Sequence, residues 1–118
     1  MLNLTPEETE FLNATSTCHL ATVDTGGQPH VVPVRAAWDG TSMIFTTGLR
    51  TKKYRNLKGH PKAALSVGDF TRRAGVLLQG NAELIERGDE FVRTQQYLID
   101  RGMMRRLRQE GEEAVVRG

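Results

Sequence analysis

The sequence has one cysteine, few aromatic residues and no long apolar run among its 118 residues. The lone Cys18 cannot form a disulfide within the chain, which favours a reducing compartment such as the cytoplasm. No apolar stretch approaches the ~20 residues of a membrane-spanning helix. The first ten residues lack the basic start and the apolar run of a signal peptide. We therefore expect a cytoplasmic protein without membrane contact.

Candidates for a metal site or a protein nucleophile are also scarce. His19, His30 and His60 lie far apart in the sequence and lack the spacing of metal ligands. His19 is expected to pack or hydrogen-bond on a strand, and Cys18 to be a small core residue. The order of residues supports no Ser-His-Asp or Cys-His arrangement. We expect no metal and identify no catalytic residue, so any redox chemistry would belong to a cofactor.

Acidic residues are absent from residues 46–62, where six of the 16 basic residues of the chain lie. The remaining ten basic residues stand against all 14 acidic ones, so the positive charge is local. A net charge of only +2 is low for a dedicated nucleic-acid-binding protein. Aromatic residues make up 6% of the chain, which leaves few stacking platforms for single strands. These values disfavour nucleic acid as the partner.

Short segments bounded by Gly, Pro and Asp predict a mainly β fold in one domain, residues 1–118. A capped helix is predicted from Pro6 to about Ala14, because Thr5 precedes Pro6 and two acids follow. Pro33 suggests an edge position or a bulge within the second strand. Five strands with a short helix between the third and fourth indicate a small antiparallel barrel or sandwich. The strands are predicted at residues 18–24, 29–38, 42–47, 63–69 and 75–85.

The last third of the chain shows a different pattern. Apolar residues at roughly helical spacing predict a helix over residues 89–107, which Gly102 divides into two pieces. Arg101, Arg105, Arg106 and Arg108 are expected to form a solvated helix face, with contact to an oligoglutamate cofactor tail as the alternative. The tail after Arg108 shows little pattern, and we expect it to be mobile.

The basic segment has the signals of a short helix. Thr51 is a suitable N-cap, Lys52 to Lys58 fill one to two turns, and Gly59 followed by Pro61 ends them. Basic residues at a helix start repel the positive end of the helix dipole, so their placement is unfavourable unless an anion binds there. This pattern favours a small phosphorylated ligand. A solvated basic face without a ligand and a nucleic-acid surface are the alternatives.

Three segments in order resemble the pyridoxamine 5′-phosphate oxidase-like superfamily of split β-barrel flavin-binding proteins. They are HLATVDTGGQPHVVPV from His19, RTKKYRNLKGHPKAAL from Arg50 and VLLQGNAEL from Val76. The K-x-R-N-L and H-P elements are similar to an actinobacterial branch of enzymes that depend on coenzyme F420. That coenzyme is a deazaflavin with a phosphate-bearing tail.

The resemblance implies a six-stranded split β-barrel of the FMN-binding type, usually a homodimer with cofactor sites at the subunit interface. It places Thr51, Lys52 and Lys53 at the flavin phosphate, with Arg50 and Arg55 reinforcing the anion site. It implies that the ring system lies against the second and third strands, and that Gln79 and Gly80 lie nearby. The implied wall and backbone positions are Val32, Pro33, Val34, Thr46 and Thr47.

The sequence departs from the vitamin B6 oxidase itself. The stretch Ala74-Gly75-Val76 stands where that oxidase has an R-Q-V-type motif, and no C-terminal segment for binding pyridoxal phosphate is evident. The resemblance therefore implies an oxidoreductase that uses F420, with FMN as the alternative cofactor. Its reaction would be hydride transfer to a small unsaturated organic acceptor. A non-catalytic flavin-binding protein is the competing hypothesis.

Overall fold

The structure is a computed structural model that describes residues 4–14, 17–69 and 74–118. Three helices and eight strands occur within these ranges. The helices are α1 (Pro6–Ala14), α2 (Lys52–Gly59) and α3 (Gly88–Asp100). The strands are β1 (Thr17–Val23), β2 (Pro29–Arg35), β3 (Ala37–Trp38), β4 (Met43–Gly48), β5 (Lys62–Asp69), β6 (Ala74–Asn81), β7 (Glu83–Ile85) and β8 (Glu113–Arg117).

The strands form two antiparallel four-stranded sheets, which is the split β-barrel that the sequence predicted. The first sheet has the order β2-β1-β5-β6, and the second has the order β3-β4-β8-β7. The chain passes between the sheets at Ala36, between β2 and β3, and again at Ala82, between β6 and β7. Two strands that were predicted as continuous, residues 29–38 and 75–85, are therefore each divided between the sheets. Pro33 lies on the edge strand β2, as predicted.

The second sheet is buried on both faces. One face packs against the first sheet through Met43, Phe45 and Val116. The other face carries Ile44 and Val115, which pack with side chains from α3. Side chains of this sheet therefore belong to two hydrophobic clusters, and a strand in such a sheet shows no simple alternation of polar and apolar residues.

The C-terminal third differs from the sequence prediction. Helix α3 ends at Asp100, and Gly102 adopts a positive φ of 75°, the left-handed conformation in which helices often end. Residues 101–112 run back as irregular chain instead of continuing the helix to residue 107. The buried side chain of Gln95 holds this segment, because it accepts a 2.7 Å hydrogen bond from the N–H of Arg108 and donates to its carbonyl.

The tail that was expected to be mobile forms β8, so that prediction was wrong. β8 lies in the middle of the second sheet, where it pairs with β4 on one side and with β7 on the other. Ala114, Val115 and Val116 are each at most 1% exposed. None of the helices in the described ranges is long and apolar enough to cross a membrane.

Candidate functional site

The basic helix α2 begins directly after β4, and its first turn is built as the sequence predicted. Thr51 is the N-cap residue: its hydroxyl oxygen accepts a 3.2 Å hydrogen bond from the N–H of Tyr54. The same hydroxyl lies 3.0 Å from the carbonyl oxygen of Gly48 and 2.8 Å from the hydroxyl of Thr47. The Thr51 hydroxyl therefore organises the helix start, and a ligand oxygen would share it with these groups.

The backbone N–H groups of Lys52 and Lys53, in the first turn of α2, are available to a ligand. The N–H of Arg55 closes the first turn on the carbonyl of Thr51, while the N–H groups of Lys52 and Lys53 make no hydrogen bond to the described residues. The first turn contains no acidic residue. Two unpaired N–H groups at the positive end of a helix dipole form a site suited to an anion.

The two lysines differ in their surroundings. The ammonium group of Lys52 lies 3.7 Å from Oδ2 of Asp24. The other carboxylate oxygen of Asp24, Oδ1, accepts hydrogen bonds from backbone N–H groups of the turn between β1 and β2. The N–H of Gln28, more than Lys52, holds the pKa of Asp24 below its ordinary value. Lys53 is half-buried and has no ion pair with any described residue. Lys53 is therefore the lysine whose charge is least compensated.

Arg50 and Arg55 also have different positions. The guanidinium of Arg55 donates a 2.8 Å hydrogen bond to the carbonyl of Arg50 and so stabilises the loop before the helix. Arg50 lines a cavity of about 430 Å³ beside the helix start, which Gly48, Leu49 and Thr51 border on one side. Arg108, Gly111, Glu112 and Glu113 border it on the other side.

Arg108 lies at this cavity, where the sequence analysis expected a solvated helix face and gave contact with a cofactor tail as the alternative. The chain reverses after α3 and brings it to the cavity beside Arg50. Its Nε atom is buried without a hydrogen bond and lies 3.6 Å from the carboxylate of Glu113. Glu112 accepts a hydrogen bond from the N–H of Gln109. Both acids of the cavity thus have partners within the protein.

Lys58, the last basic residue of α2, does not face the helix start. Its ammonium group donates to the hydroxyl of Tyr54 at 3.1 Å and lies 3.7 Å from Glu86. The hydrogen bond to Tyr54, followed by the charge of Glu86, raises the pKa of Lys58. Tyr54 in turn donates a 2.7 Å hydrogen bond to Glu86, so this group ties α2 to the segment after β7.

The position of α2 depends on one buried polar contact as well. The side chain of Asn56 donates a 3.0 Å hydrogen bond to the hydroxyl of Thr22 on β1, and both residues are buried. Leu57 joins the core between the sheets. Contacts on two sides therefore fix the helix, and a helix start held in this way can present its N–H groups in one orientation.

The strand positions implied by the resemblance lie along two open backbone edges. β3 pairs only with Met43 and Ile44, so β4 from Phe45 to Gly48 has β8 on one side and no described strand on the other. β2 is an edge strand of the first sheet. Ala36 joins β2 to β3, so the two open edges belong to strands that are consecutive in the chain and lie in different sheets. Backbone groups along such edges can hydrogen-bond to a ligand.

The side chains at these positions point in different directions. Val34 packs against the core between the sheets, and Val32 is half-buried beside it in the alternating pattern of β2. Pro33 is exposed on the outer face of the first sheet. Thr47 is buried against Thr51, while Thr46 is half-buried. Gln79 and Gly80 line a different cavity of the same chain.

Side chains suited to acid–base or metal chemistry do not gather at the helix start. No group of three or more His, Cys, Asp or Glu residues in the described ranges could hold a metal ion. Burial raises the pKa of the Cys18 thiol to about 11, so it is protonated at neutral pH. The site can bind an anion and orient a ligand, and its chemistry would come from that ligand.

The chain matches known proteins along nearly its whole length. The family model described as pyridoxamine 5′-phosphate oxidase matches residues 4–115. A solved structure described as an F420 reductase is 27% identical with a TM-score of 0.75, and the match covers 97% of this chain and 93% of that one. No match to the sequence was found among curated proteins.

Two further structures are similar in fold. The heme storage protein HutZ from Vibrio cholerae is 22% identical with a TM-score of 0.83, covering 98% of this chain and 89% of that one. A pyridoxamine 5′-phosphate oxidase-related, FMN binding protein from Nostoc punctiforme is 15% identical with a TM-score of 0.72, covering 98% and 81%. At these identities the likeness concerns the fold alone.

Proposed function

Because the chain belongs to the pyridoxamine 5′-phosphate oxidase family, we propose that its helix start binds the phosphate of a flavin-type cofactor. We propose coenzyme F420 as that cofactor and FMN as the alternative. The protein would then be an oxidoreductase that transfers a hydride between the cofactor and a small unsaturated organic acceptor. We also propose that residues 1–118 act as one cofactor-binding domain, which the family match over residues 4–115 supports.

The observation that carries this proposal is that two backbone N–H groups in the first turn of α2 make no hydrogen bond to the described residues. The free N–H groups of Lys52 and Lys53 lie next to three positive side chains, those of Lys52, Lys53 and Arg50, with no acid in the first turn. A phosphate there would accept hydrogen bonds and neutralise charges that otherwise destabilise the helix start. Arg55 would act through the loop backbone that it holds.

The ring system would occupy the opening between the two sheets. Unpaired backbone at Thr46 and Thr47 can hydrogen-bond to the polar edge of a ring. On the opposing side, β2 offers the side chains of Val32 and Val34 and the backbone of Pro33 between them. The bound cofactor supplies the hydride chemistry. The protein would hold the phosphate, orient the ring and exclude water, which makes positioning its main catalytic contribution.

The F420 reductase among the similar structures favours F420, because it is 27% identical over almost the whole of both chains. Titration of the purified protein with F420 and with FMN tests this choice. We expect quenching of cofactor fluorescence with micromolar affinity, and tighter binding of F420. A reductase assay with reduced F420 then separates an enzyme from a protein that only binds the cofactor. Absence of binding to either cofactor would contradict the proposal.

Nucleic acid remains the distant alternative, and salt separates it from a small phosphorylated ligand. Contacts to many phosphates would make the affinity fall steeply with salt across many sequences. A single phosphate at the helix start would give a shallow dependence. We expect the shallow one, and no retardation of short DNA or RNA at 150 mM salt.

We further propose that the protein is a homodimer that pairs through the outer face of the first sheet. This face carries the two most exposed large apolar side chains of the described residues, Val31 at 61% and Leu77 at 63%. His19 on β1 and Ser66 on β5 lie on the strands between those that bear Val31 and Leu77. The cross-strand row that contains His19 and Ser66 has no Asp, Glu, Lys or Arg residue. Apolar surface of this kind is typical of a site for another protein.

Replacing Val31 and Leu77 by lysine is expected to produce a monomer, because four lysines would then face one another across a twofold interface. Light scattering coupled to gel filtration measures the mass, and circular dichroism checks the fold. The matched control replaces Val92 and Leu107, the other two exposed large apolar residues, and should remain dimeric. A monomeric wild type, or a dimeric Val31→Lys/Leu77→Lys variant, would exclude this interface.

A further inference from the structure

A second cavity, of about 330 Å³, lies apart from the proposed cofactor site. It is bordered by Thr41, which precedes β4, whereas the phosphate site lies after the end of β4 at Gly48. The residues that line the two cavities do not overlap. The second cavity therefore has its own walls.

Its walls are apolar and its rim is polar. The walls are formed by Leu20, Phe45, Leu65, Leu78 and Val116, which belong to the core between the sheets or pack against it. Thr41 adds a hydroxyl group, whereas the side chains of Gln79 and Asn81, which also border the cavity, alternate to the other face of β6. No Asp, Glu, Lys, Arg or His residue lines the cavity. A negatively charged ligand would lose its hydration there without gaining a positively charged side chain, so the lining favours a neutral molecule over an anion.

Small residues keep this cavity open. Ala63 and Gly80 face each other across β5 and β6, on the side of the sheet that also bears Leu65 and Leu78. A Cβ atom at Gly80 would meet no heavy atom within 4 Å, and the backbone there does not need glycine. Protein interiors are normally packed with few voids larger than a water molecule. An unfilled space beside a replaceable glycine indicates room for a ligand.

The size and the lining together define the ligand. An apolar cavity of about 150 Å³ takes up one benzene molecule, so a cavity of about 330 Å³ has room for two fused rings. We propose that this cavity binds a neutral, apolar molecule of about that size, with one terminal hydrogen-bonding group at the polar rim beside Thr41. This site is separate from the cofactor site and does not depend on it.

The first test uses 2-naphthol, a neutral fluorescent molecule with two fused rings and one hydroxyl group. We expect it to bind with a dissociation constant of tens of micromolar, followed by its fluorescence or by NMR shifts of the methyl groups of Leu78 and Val116. The matched probe is 2-naphthoate, which has the same rings and a negative charge, and should bind at least tenfold more weakly. Equal affinity for the two probes would overturn the proposal.

The second test fills the cavity. Gly80→Leu places a side chain in the open space and should weaken 2-naphthol binding at least tenfold, and the affinity for FMN is measured beside it. Arg93→Leu adds the same side chain at an exposed position of α3 and should leave both affinities unchanged. If Gly80→Leu does not fold, Ala63→Ile makes the same test. Wild-type affinity for 2-naphthol in the filled variant would overturn the proposal.

The third test separates this site from the cofactor site. Saturating the protein with FMN or F420 should leave 2-naphthol binding unchanged, because the cavities share no residue. Displacement of 2-naphthol by the cofactor would show that the probe occupies the ring position and would overturn the second site. Failure of cofactor binding itself would count only against the proposed function, since the naphthol titration needs no cofactor.

Discussion

Replacing both Lys52 and Lys53 by alanine is expected to weaken cofactor binding by roughly 30- to 100-fold while leaving the fold intact. A hydrogen bond to a charged group contributes about 1.5–3 kcal/mol, and solvent screening at exposed Lys52 and half-buried Lys53 lowers each contribution to about 1–1.5 kcal/mol. Two such losses amount to about 2–3 kcal/mol, and each 1.4 kcal/mol is a factor of ten. The backbone N–H groups remain in the variant, so some binding should persist.

The two single alanine variants are expected to lose different amounts of cofactor affinity. Lys52 already lies beside Asp24, whereas Lys53 has no ion pair with a described residue. We therefore expect Lys53→Ala to cost more affinity than Lys52→Ala. Fluorescence titration with FMN and with F420 measures both, and the thermal midpoint of each variant reports on the fold.

The chain contains a matched control for this experiment. Its other two lysines are Lys58, which faces Tyr54 and Glu86, and Lys62, which is exposed on β5. Lys58→Ala/Lys62→Ala removes the same amount of charge without touching the helix start, and should change cofactor affinity less than threefold. Equal losses in the two double variants would mean that net charge, and not the start of α2, attracts the cofactor.

Ending the chain at Gly111 is expected to abolish cooperative folding, although the deletion removes only seven residues. β8 is a central strand of the second sheet, and its deletion exposes the facing side chains of β4 and β7. Burial of a side chain such as valine contributes about 1.5–3 kcal/mol. Loss of three buried residues together with two strand pairings is comparable with the whole stability of a small domain, about 5–15 kcal/mol.

Thermal unfolding followed by circular dichroism measures this effect. Val116→Asp should have a similar consequence, because it places a charge between the two sheets. Arg106→Ala, at an exposed position in the irregular segment before β8, should shift the midpoint by only a few degrees. A truncated chain that still melts cooperatively near the wild-type temperature would show that β8 is dispensable.

The sequence could not predict β8, and the reason is physical. The segment Glu-Ala-Val-Val-Arg is short, and both faces of its strand are buried, so it lacks the alternation that marks a strand with one solvated face. Its partner β4 lies about 70 residues earlier in the chain. Pairing over such a distance leaves no local signal in the sequence.

The basic helix was predictable because its signals are local. Thr51 caps the first turn through the N–H of Tyr54, as its residue type implies, and Gly59 is the last helical residue before His60, which is the C-cap. Helical spacing of apolar residues misled the prediction only beyond Asp100. Met103 lies in the irregular segment after α3 and packs against the hydrophobic cluster between α3 and the second sheet. In such a segment the spacing of apolar residues carries no information about secondary structure. Tertiary contacts overrode the pattern there.

At the candidate site, the sequence likewise indicated the residues that are local to α2 and did not indicate which residue tertiary structure brings there. Arg50, Thr51, Lys52 and Lys53 are neighbours in the sequence, and their common location follows from one helix start. Arg108 lies beside Arg50 only because the chain reverses after Gly102 and β8 joins the second sheet. No motif connects these two arginines, so their proximity needed the structure.

Comparing FMN with riboflavin tests the central claim most directly, because the two molecules differ only in the phosphate. The claim that the start of α2 binds this phosphate predicts that FMN binds at least 100-fold more tightly than riboflavin to the wild type. In Lys52→Ala/Lys53→Ala the difference should shrink to about tenfold or less, since only the backbone N–H groups then distinguish the ligands. Equal affinities of FMN and riboflavin for the wild type, or an unchanged ratio in the variant, would contradict it.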